Sequence, residues 1–274
     1  MGAGSDLSRL NATQNLGLGM LSGVCSKLCN YPLLSWKNAS QQSLPISLTP
    51  AVVYRGLPMA CLNLGGTTAV QFWTTGFFQN VVSSDVRHMT SSEQMLGSFL
   101  GGVASGVPCS LWELIMIQQQ RYGGSVVSAP ARIVSEFGAA TLLRGVVPTM
   151  GRESLYTMAM LGVTPLMQQA MVEEFGMDPN VGLAVGALAG SFFSATLTHP
   201  MDTVKTCMQG DCEQNKYTNI RGTGQSLVDE FGVRAGLFKG LAWRISLITT
   251  TFFLVNKFKQ ELAPRIFPNV SEDE

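Results

Sequence analysis

The chain carries one short pattern at three places, and internal repetition restricts a fold more than any single segment does. The clearest instance is Pro200-Met-Asp202-Thr-Val-Lys205, followed by Gln209, at the end of an apolar, glycine-containing run over residues 181–197. Pro32, Leu34, Lys37 and Gln41 reproduce it with a leucine in the acid's place. Leu111, Glu113, Met116 and Gln120 reproduce it with the acid kept and a methionine in the base's place. Each instance carries a small-xxx-small pair before it: Gly19/Gly23, Gly97/Gly101 and Gly186/Gly190. After each comes an aromatic residue or leucine, a base and a glycine, namely Tyr54-Arg55-Gly56, Leu143-Arg144-Gly145 and Phe238-Lys239-Gly240. Glu136-Phe137-Gly138 and Glu230-Phe231-Gly232 add a further echo in the second and third units. Proline inside a helix removes a hydrogen bond and kinks it, and Asp202 and Lys205 share a face just past that point. Charges beside an apolar span are costly unless they meet a polar cavity or other charges, so this pair requires partners from the other two units.

Composition agrees. The chain has 274 residues, enough for one or two soluble domains, but only 13% are charged and 46% are hydrophobic, and its mean hydropathy is +0.20. Six moderately apolar stretches stand at residues 16–36, 57–82, 94–117, 146–171, 181–204 and 241–258, each with polar residues at helical spacing. Helices lining a wet cavity read this way, although a large soluble helical core reads similarly. Asn63, Thr67 and Gln71 form a polar stripe on the second stretch. Short helices are expected at 131–137 and 222–231, polar segments at 1–15 and 83–93, and a charged, mobile tail at 257–274. The link from 42 to 54 is too short and too rich in proline for a corresponding helix. Formal net charge is zero with no basic run, which argues against nucleic acid. The six cysteines show no Cys-x-x-Cys, and His88 and His199 complete no ligand set, so the thiols read as small buried hydrophobes and no metal or cofactor is expected. The sequons at Asn11, Asn38 and Asn269 read as chance matches. No nucleophile–base pair or phosphate-cradling loop suggests an enzyme.

In its repeated motifs the chain resembles the mitochondrial carriers, inner-membrane solute transporters built from three tandem repeats. The family pattern is Pro-x-acid-x-x-base, then x-base-x-Gln. The third instance matches except for Cys207 at the second base, and the first two are degenerate. The resemblance runs over residues 17–258. It implies an all-α membrane protein with six transmembrane helices in three pseudo-symmetric repeats, 16–82, 93–171 and 181–258, whose odd-numbered helices are kinked. Residues 1–15 show no cleavable presequence, which suits import through internal signals, while the neutral net charge departs from a family that tends to be basic. By the resemblance, Glu113 meets Lys205 and Asp202 meets Lys37 in a matrix gate, with Leu34 and Met116 as an apolar third pair. Gln41, Gln120 and Gln209 are expected to brace these pairs. In contact with water each ion pair contributes only about 0–1 kcal/mol, so such a gate can open. The opposite gate lacks carboxylates, offering Thr75, Gly76 and Gln79 on the second helix and Thr164, Pro165 and Gln168 on the fourth.

The resemblance puts the substrate at Asn63-Leu64, Arg152-Glu153 and Leu247-Ile248. Arg152 followed by Glu153 resembles the family's amino-acid-type carriers, the guanidinium taking a carboxylate and the glutamate an ammonium. Arg244, one turn from Leu247, adds a second cavity charge, and Tyr156 and Thr157 lie a turn beyond Glu153. Alternatively, Arg152 and Glu153 neutralise each other. Membrane lipid, cardiolipin in the family, is expected at Gly56, Gly145 and Gly240, beside Arg55, Arg144 and Lys239. The missing helix of the first unit puts one of those lipid sites in question. Two functions follow: a carrier of a small amino-acid-like or carboxylate metabolite working by alternating access, or a carrier fold that has lost transport and serves as a subunit of a larger inner-membrane complex.

Overall fold

The computed structural model describes residues 12–82, 90–159 and 164–267. His88, Asn11, Asn269, most of the expected polar loop and the last residues of the expected tail lie outside them. The described residues are mostly helical, with no strand among them. Its elements are α1 (Ala12–Gln41), α2 (Pro50–Val53), α3 (Leu57–Val82), α4 (Ser91–Tyr122), α5 (Ser128–Phe137), a 3-10 turn (Ala139–Leu143), α6 (Val146–Thr157), α7 (Thr164–Phe175), α8 (Pro179–Gly210), α9 (Ile220–Leu237) and α10 (Leu241–Ile266). The long helices pack each against the next, and α10 returns to α1, closing a ring. Asn30 of α1 donates to Thr251 Oγ1 of α10 at 2.6 Å, and the Trp36 and Trp243 rings lie 5.3 Å apart at the same seam.

Polarity runs opposite to that of a soluble bundle. Ser26, Asn30, Lys37, Gln41, Glu113, Asp202, Lys205 and Arg244 are buried, while Phe72, Trp73, Phe77, Phe192, Phe193 and Phe253 stand on the outer surface. A ring with a charged interior and an aromatic exterior satisfies its polar groups internally and offers its apolar surface to lipid. Three helical segments among the described residues are long and apolar enough to cross a membrane: Ser91–Tyr122, Val181–Gly210 and Ile220–Val255.

Local chemistry sets the helix ends. Thr90 and Glu93 form a reciprocal capping box that starts α4, and Asn219 accepts from the Gly222 amide at the start of α9. Prolines lie inside α1, α4 and α8 at Pro32, Pro108 and Pro200, so the second unit carries its proline one turn before the Leu111 position. Glycines on α4 allow its two neighbours to approach closely. A Cβ at Gly101 would lie 2.7 Å from the Thr75 Cα of α3, and one at Gly102 would lie 2.5 Å from both the Glu153 carbonyl oxygen and the Ser154 Cα of α6.

Several expectations are corrected. The helix expected at 131–137 starts at Ser128, and the one at 222–231 runs on to Leu237 past a break at Gly232, whose φ of 75° suits only glycine. The tail expected to be mobile is helical through Ile266, because Leu262 and Ala263 pack with Leu18. The cysteines are free, but only Cys109, Cys207 and Cys212 are buried, and Cys29 is exposed. Between α1 and α3 the link holds only the single turn of α2, tied down by the Trp36 indole donating to the Ser47 carbonyl at 2.8 Å. After α8, burial works against ionisation of Asp211. Backbone N–H groups of Tyr217, Lys216 and Asn215 outweigh it and hold that carboxyl below its usual range.

Candidate functional site

The helical segments carrying the repeated motif meet at one end of the ring. Lys37 Nζ of α1 lies 2.6 Å from Asp202 Oδ2 of α8, and Lys205 Nζ of α8 lies 2.9 Å from Glu113 Oε2 of α4. Asp202 is the hub. Besides Lys37 it has Lys205 at 3.6 Å, Arg152 at 3.7 Å and Arg244 at 3.8 Å. Relative exposure is 6% for Lys37, 1% for Asp202, 1% for Lys205 and 9% for Glu113. The weak, water-screened pairing expected from the sequence is therefore corrected: these are buried charges, whose mutual neutralisation governs whether the arrangement is tolerated. In the third position Leu34 packs against an apolar cluster that contains Met116.

Of the three motif glutamines, Gln41 alone hydrogen-bonds an ion pair among the described residues, donating to Asp202 Oδ2 at 2.9 Å. Gln209 donates instead to Ser110 and to the Arg144 carbonyl, and Gln120 to the Tyr31 hydroxyl at 2.9 Å. The difference has a geometric reason in the second unit, where the Leu34–Met116 position offers no charge to brace and Gln120 turns to Tyr31.

The predicted substrate residues are not separate from this network. Arg152 Nη2 lies 2.8 Å from Glu113 Oε2 and 2.6 Å from Glu153 Oε1, so one guanidinium joins the substrate position to the motif acid. Glu153 is held further by Gln71, which donates to Oε2 at 2.7 Å, and by the Cys109 thiol at 3.7 Å from Oε1. Arg244 donates to Thr198 Oγ1 at 2.9 Å. Asn63 accepts from Thr67 at 2.7 Å within α3, and Asn63 and Tyr156 are half-buried. Sequence reasoning missed Lys27, which lies seven residues before Leu34 on the same face of α1, with Glu113 and Cys61 as its electrostatic neighbours. A lone cation inside an apolar helix was the available signal.

The family model for mitochondrial carrier proteins matches residues 178–263, the segment that carries the least degraded motif, Asp202, Lys205 and Arg244. Over these residues the chain is similar to the mitochondrial carriers. It is 24% identical to mitochondrial substrate carrier family protein ucpB of Dictyostelium discoideum, over 60% of each chain. Against mitochondrial thiamine pyrophosphate carrier 1 of Eremothecium gossypii the identity is 29%, over 52% of this chain and 44% of that one. Against the mitochondrial glycine transporter of Yarrowia lipolytica it is 24%, over 88% of this chain and 81% of that one. The matched part thus spans 60% and 44% of the length of the first two relatives. These relatives are named as mitochondrial carriers or transporters.

The landmark glycines share one geometry. Gly56, Gly145 and Gly240 have φ of 81°, 80° and 82° and immediately precede α3, α6 and α10. A Cβ at Gly56 would meet the Met116 carbonyl, one at Gly145 would meet Lys205 and Gln209, and one at Gly240 would meet the Lys37 carbonyl and Gln41. Each glycine therefore seats its helix start against the motif of the next unit, cyclically. A cavity of about 640 Å³ lies at the start of α6, lined among others by Gly145, Val146, Asn219 and Arg221. Arg144 does not offer its whole guanidinium to that cavity: it donates to the carbonyls of Met208, Tyr217 and Thr218. Lys239 likewise donates to Ser43 Oγ at 2.6 Å and lies over the Phe231 ring at 4.3 Å. Arg55 is exposed.

At the opposite end, Gln79 donates to Ser98 and to the Gln94 carbonyl on α4, and Gln168 to the Pro179 carbonyl on α8. The polar Thr/Gln gate expected there is corrected to this extent, since these amides bond within neighbouring helix pairs. Thr75 packs against Gly101, and the side chains of Thr164 and Pro165 lie outside the described residues.

Proposed function

We propose that this carrier moves a small carboxylate-bearing or amino-acid-like metabolite across the inner mitochondrial membrane by alternating access, using three repeats of one helix pair. The observation that carries the reading is the position of Arg152, which bonds both Glu153 and the motif acid Glu113. A substrate carboxylate that takes Arg152 bidentately competes with Glu113 for the same guanidinium. Glu113 then keeps only Lys205, and the buried network closing the matrix end is tied to α6 only by the longer 3.7 Å approach of Arg152 to Asp202. Substrate binding and gate loosening become one event, with binding free energy offsetting the cost of breaking buried pairs. Asn63 and Tyr156, half-buried on α3 and α6, complete the substrate position.

Lipid supports the helix ends. The cavity at Gly145 has two helix starts at its rim, α6 and α9, whose free N–H groups favour a phosphate, and a membrane phospholipid such as cardiolipin fits this chemistry. Gly56 and Gly240 are the corresponding seats. Purified protein in liposomes is expected to take up solute, and Arg152→Ala is expected to abolish that uptake. Uptake unchanged by Arg152→Ala would remove the mechanism. No uptake of any amino acid, carboxylate or nucleotide, together with stable co-purification with a respiratory assembly, would replace transport by a structural role.

A further inference from the structure

We propose that the central charge cluster is built for a small dianion without a cationic centre, so that the cargo is a doubly charged anion rather than a zwitterion. The inference rests on the transport reading and narrows its substrate. Among the described residues four cationic side chains, Lys37, Arg152, Lys205 and Arg244, pair with three carboxylates, Glu113, Glu153 and Asp202, and a fifth, Lys27, lies seven residues before Leu34 on the same face of α1 with Glu113 as an electrostatic neighbour. The surplus is two positive charges inside a ring whose outer face is apolar.

Each carboxylate is already claimed. Asp202 has four cations within 3.8 Å, Glu113 has two within 2.9 Å, and Glu153 has Arg152 at 2.6 Å with Gln71 on its other oxygen. The glutamate that would receive an ammonium is therefore occupied, and an ammonium would enter a site with excess positive charge. Donors, by contrast, are spare. Lys27 makes no ion pair or hydrogen bond among the described residues, and the buried Arg152 Nε and Arg244 Nη1 have no hydrogen-bond partner. Arg244 is 6% exposed, so its unmet donor is desolvated at a cost that an anion would recover. Cations held in a membrane interior mark an ion pathway, and neutralising both surplus charges takes an anion of charge two. A dicarboxylate and a phosphate share that chemistry.

The test is uptake by the full chain in liposomes of succinate, inorganic phosphate and glycine, each in parallel with thermal unfolding of the detergent-purified protein in the same solute. Succinate or phosphate, whichever group the site prefers, is expected to be taken up and to raise the melting temperature, while glycine does neither. Lys27→Gln is expected to weaken that anion by about tenfold, the loss of one charged hydrogen bond, and Lys27→Arg to restore it. Without solute, Lys27→Gln should melt at or above wild type, since it removes an unpaired charge; this separates lost binding from misfolding. Glycine taken up in preference to both anions would overturn the charge argument and leave transport standing. No uptake of any solute would overturn transport instead, and the unfolding arm would still decide the anion site, which is refuted if neither anion stabilises the chain.

Discussion

At the scale of single residues the network is asymmetric in a way that mutation can read. Lys37 has one acid, Asp202, whereas Asp202 answers to Lys37, Lys205, Arg152 and Arg244. Removing one partner of a buried pair costs about 3–5 kcal/mol because the other charge is left uncompensated. Asp202→Asn leaves several cations facing one another, while Lys37→Met leaves an acid that still has three. Thermal unfolding in detergent should therefore rank Asp202→Asn as the more damaging, and the double variant Lys37→Met/Asp202→Leu should not recover wild-type stability. Equal losses from the two single variants would mean that Lys37–Asp202 is an isolated pair. That pairing was legible through the resemblance to the carriers, which implied Lys37 with Asp202 and Glu113 with Lys205. The reach of Arg152 to Glu113 was not legible. It depends on how far α6 slides into α4, which no spacing within a single helix encodes. Lys27 was overlooked for a different reason: it belongs to no repeated landmark, so a search for symmetry passes over it.

At the scale of elements, the distance between α4 and α6 decides whether substrate position and motif acid touch. Gly102 sets it, since a Cβ there would lie 2.5 Å from backbone atoms of Glu153 and Ser154, which cannot swing away as a side-chain tip can. Gly102→Ala is expected to cost about 1–3 kcal/mol of stability by overpacking and to lower uptake through displacement of Arg152 and Glu153. Gly224→Ala is the control. Its Cβ would meet nothing within 4 Å, and removing a helical glycine should be neutral or stabilising by about 0.4–1 kcal/mol. Similar melting temperatures and uptake for the two variants would show that the close approach of α4 and α6 is not needed. Helix existence was readable from periodicity, but several ends were not. The extension of α10 to Ile266 follows from Leu262 and Ala263 packing with Leu18, a contact between opposite ends of the chain. The shortened link before α3 was readable, because Pro45 and Pro50 leave too little chain for another surface helix.

At the scale of the whole molecule, the two ends of the ring are unequally held. One end is closed by buried ion pairs among α1, α4 and α8, with the Leu34–Met116 region as its apolar third side. At the other, Gln79 and Gln168 bond to adjacent helices, and residues 241–258 of α10 contain no carboxylate to pair with anything. Alternating access needs both closures to be reachable, and the state lacking ion pairs is disfavoured by whatever the network contributes. The resting population should accordingly sit with the matrix end shut, and a solute must bind the other state better to shift it. Leu34→Cys/Met116→Cys, in a background without the native cysteines, probes this while leaving every network charge in place. A short thiol crosslinker should join the pair readily in the absence of solute. The yield should fall when the solute that the protein transports is present on both sides of the membrane, and Arg152→Ala should abolish that fall. A low yield at rest would place the resting state at the opposite closure, and a yield unaffected by a transported solute would mean that this end of the ring does not open during transport.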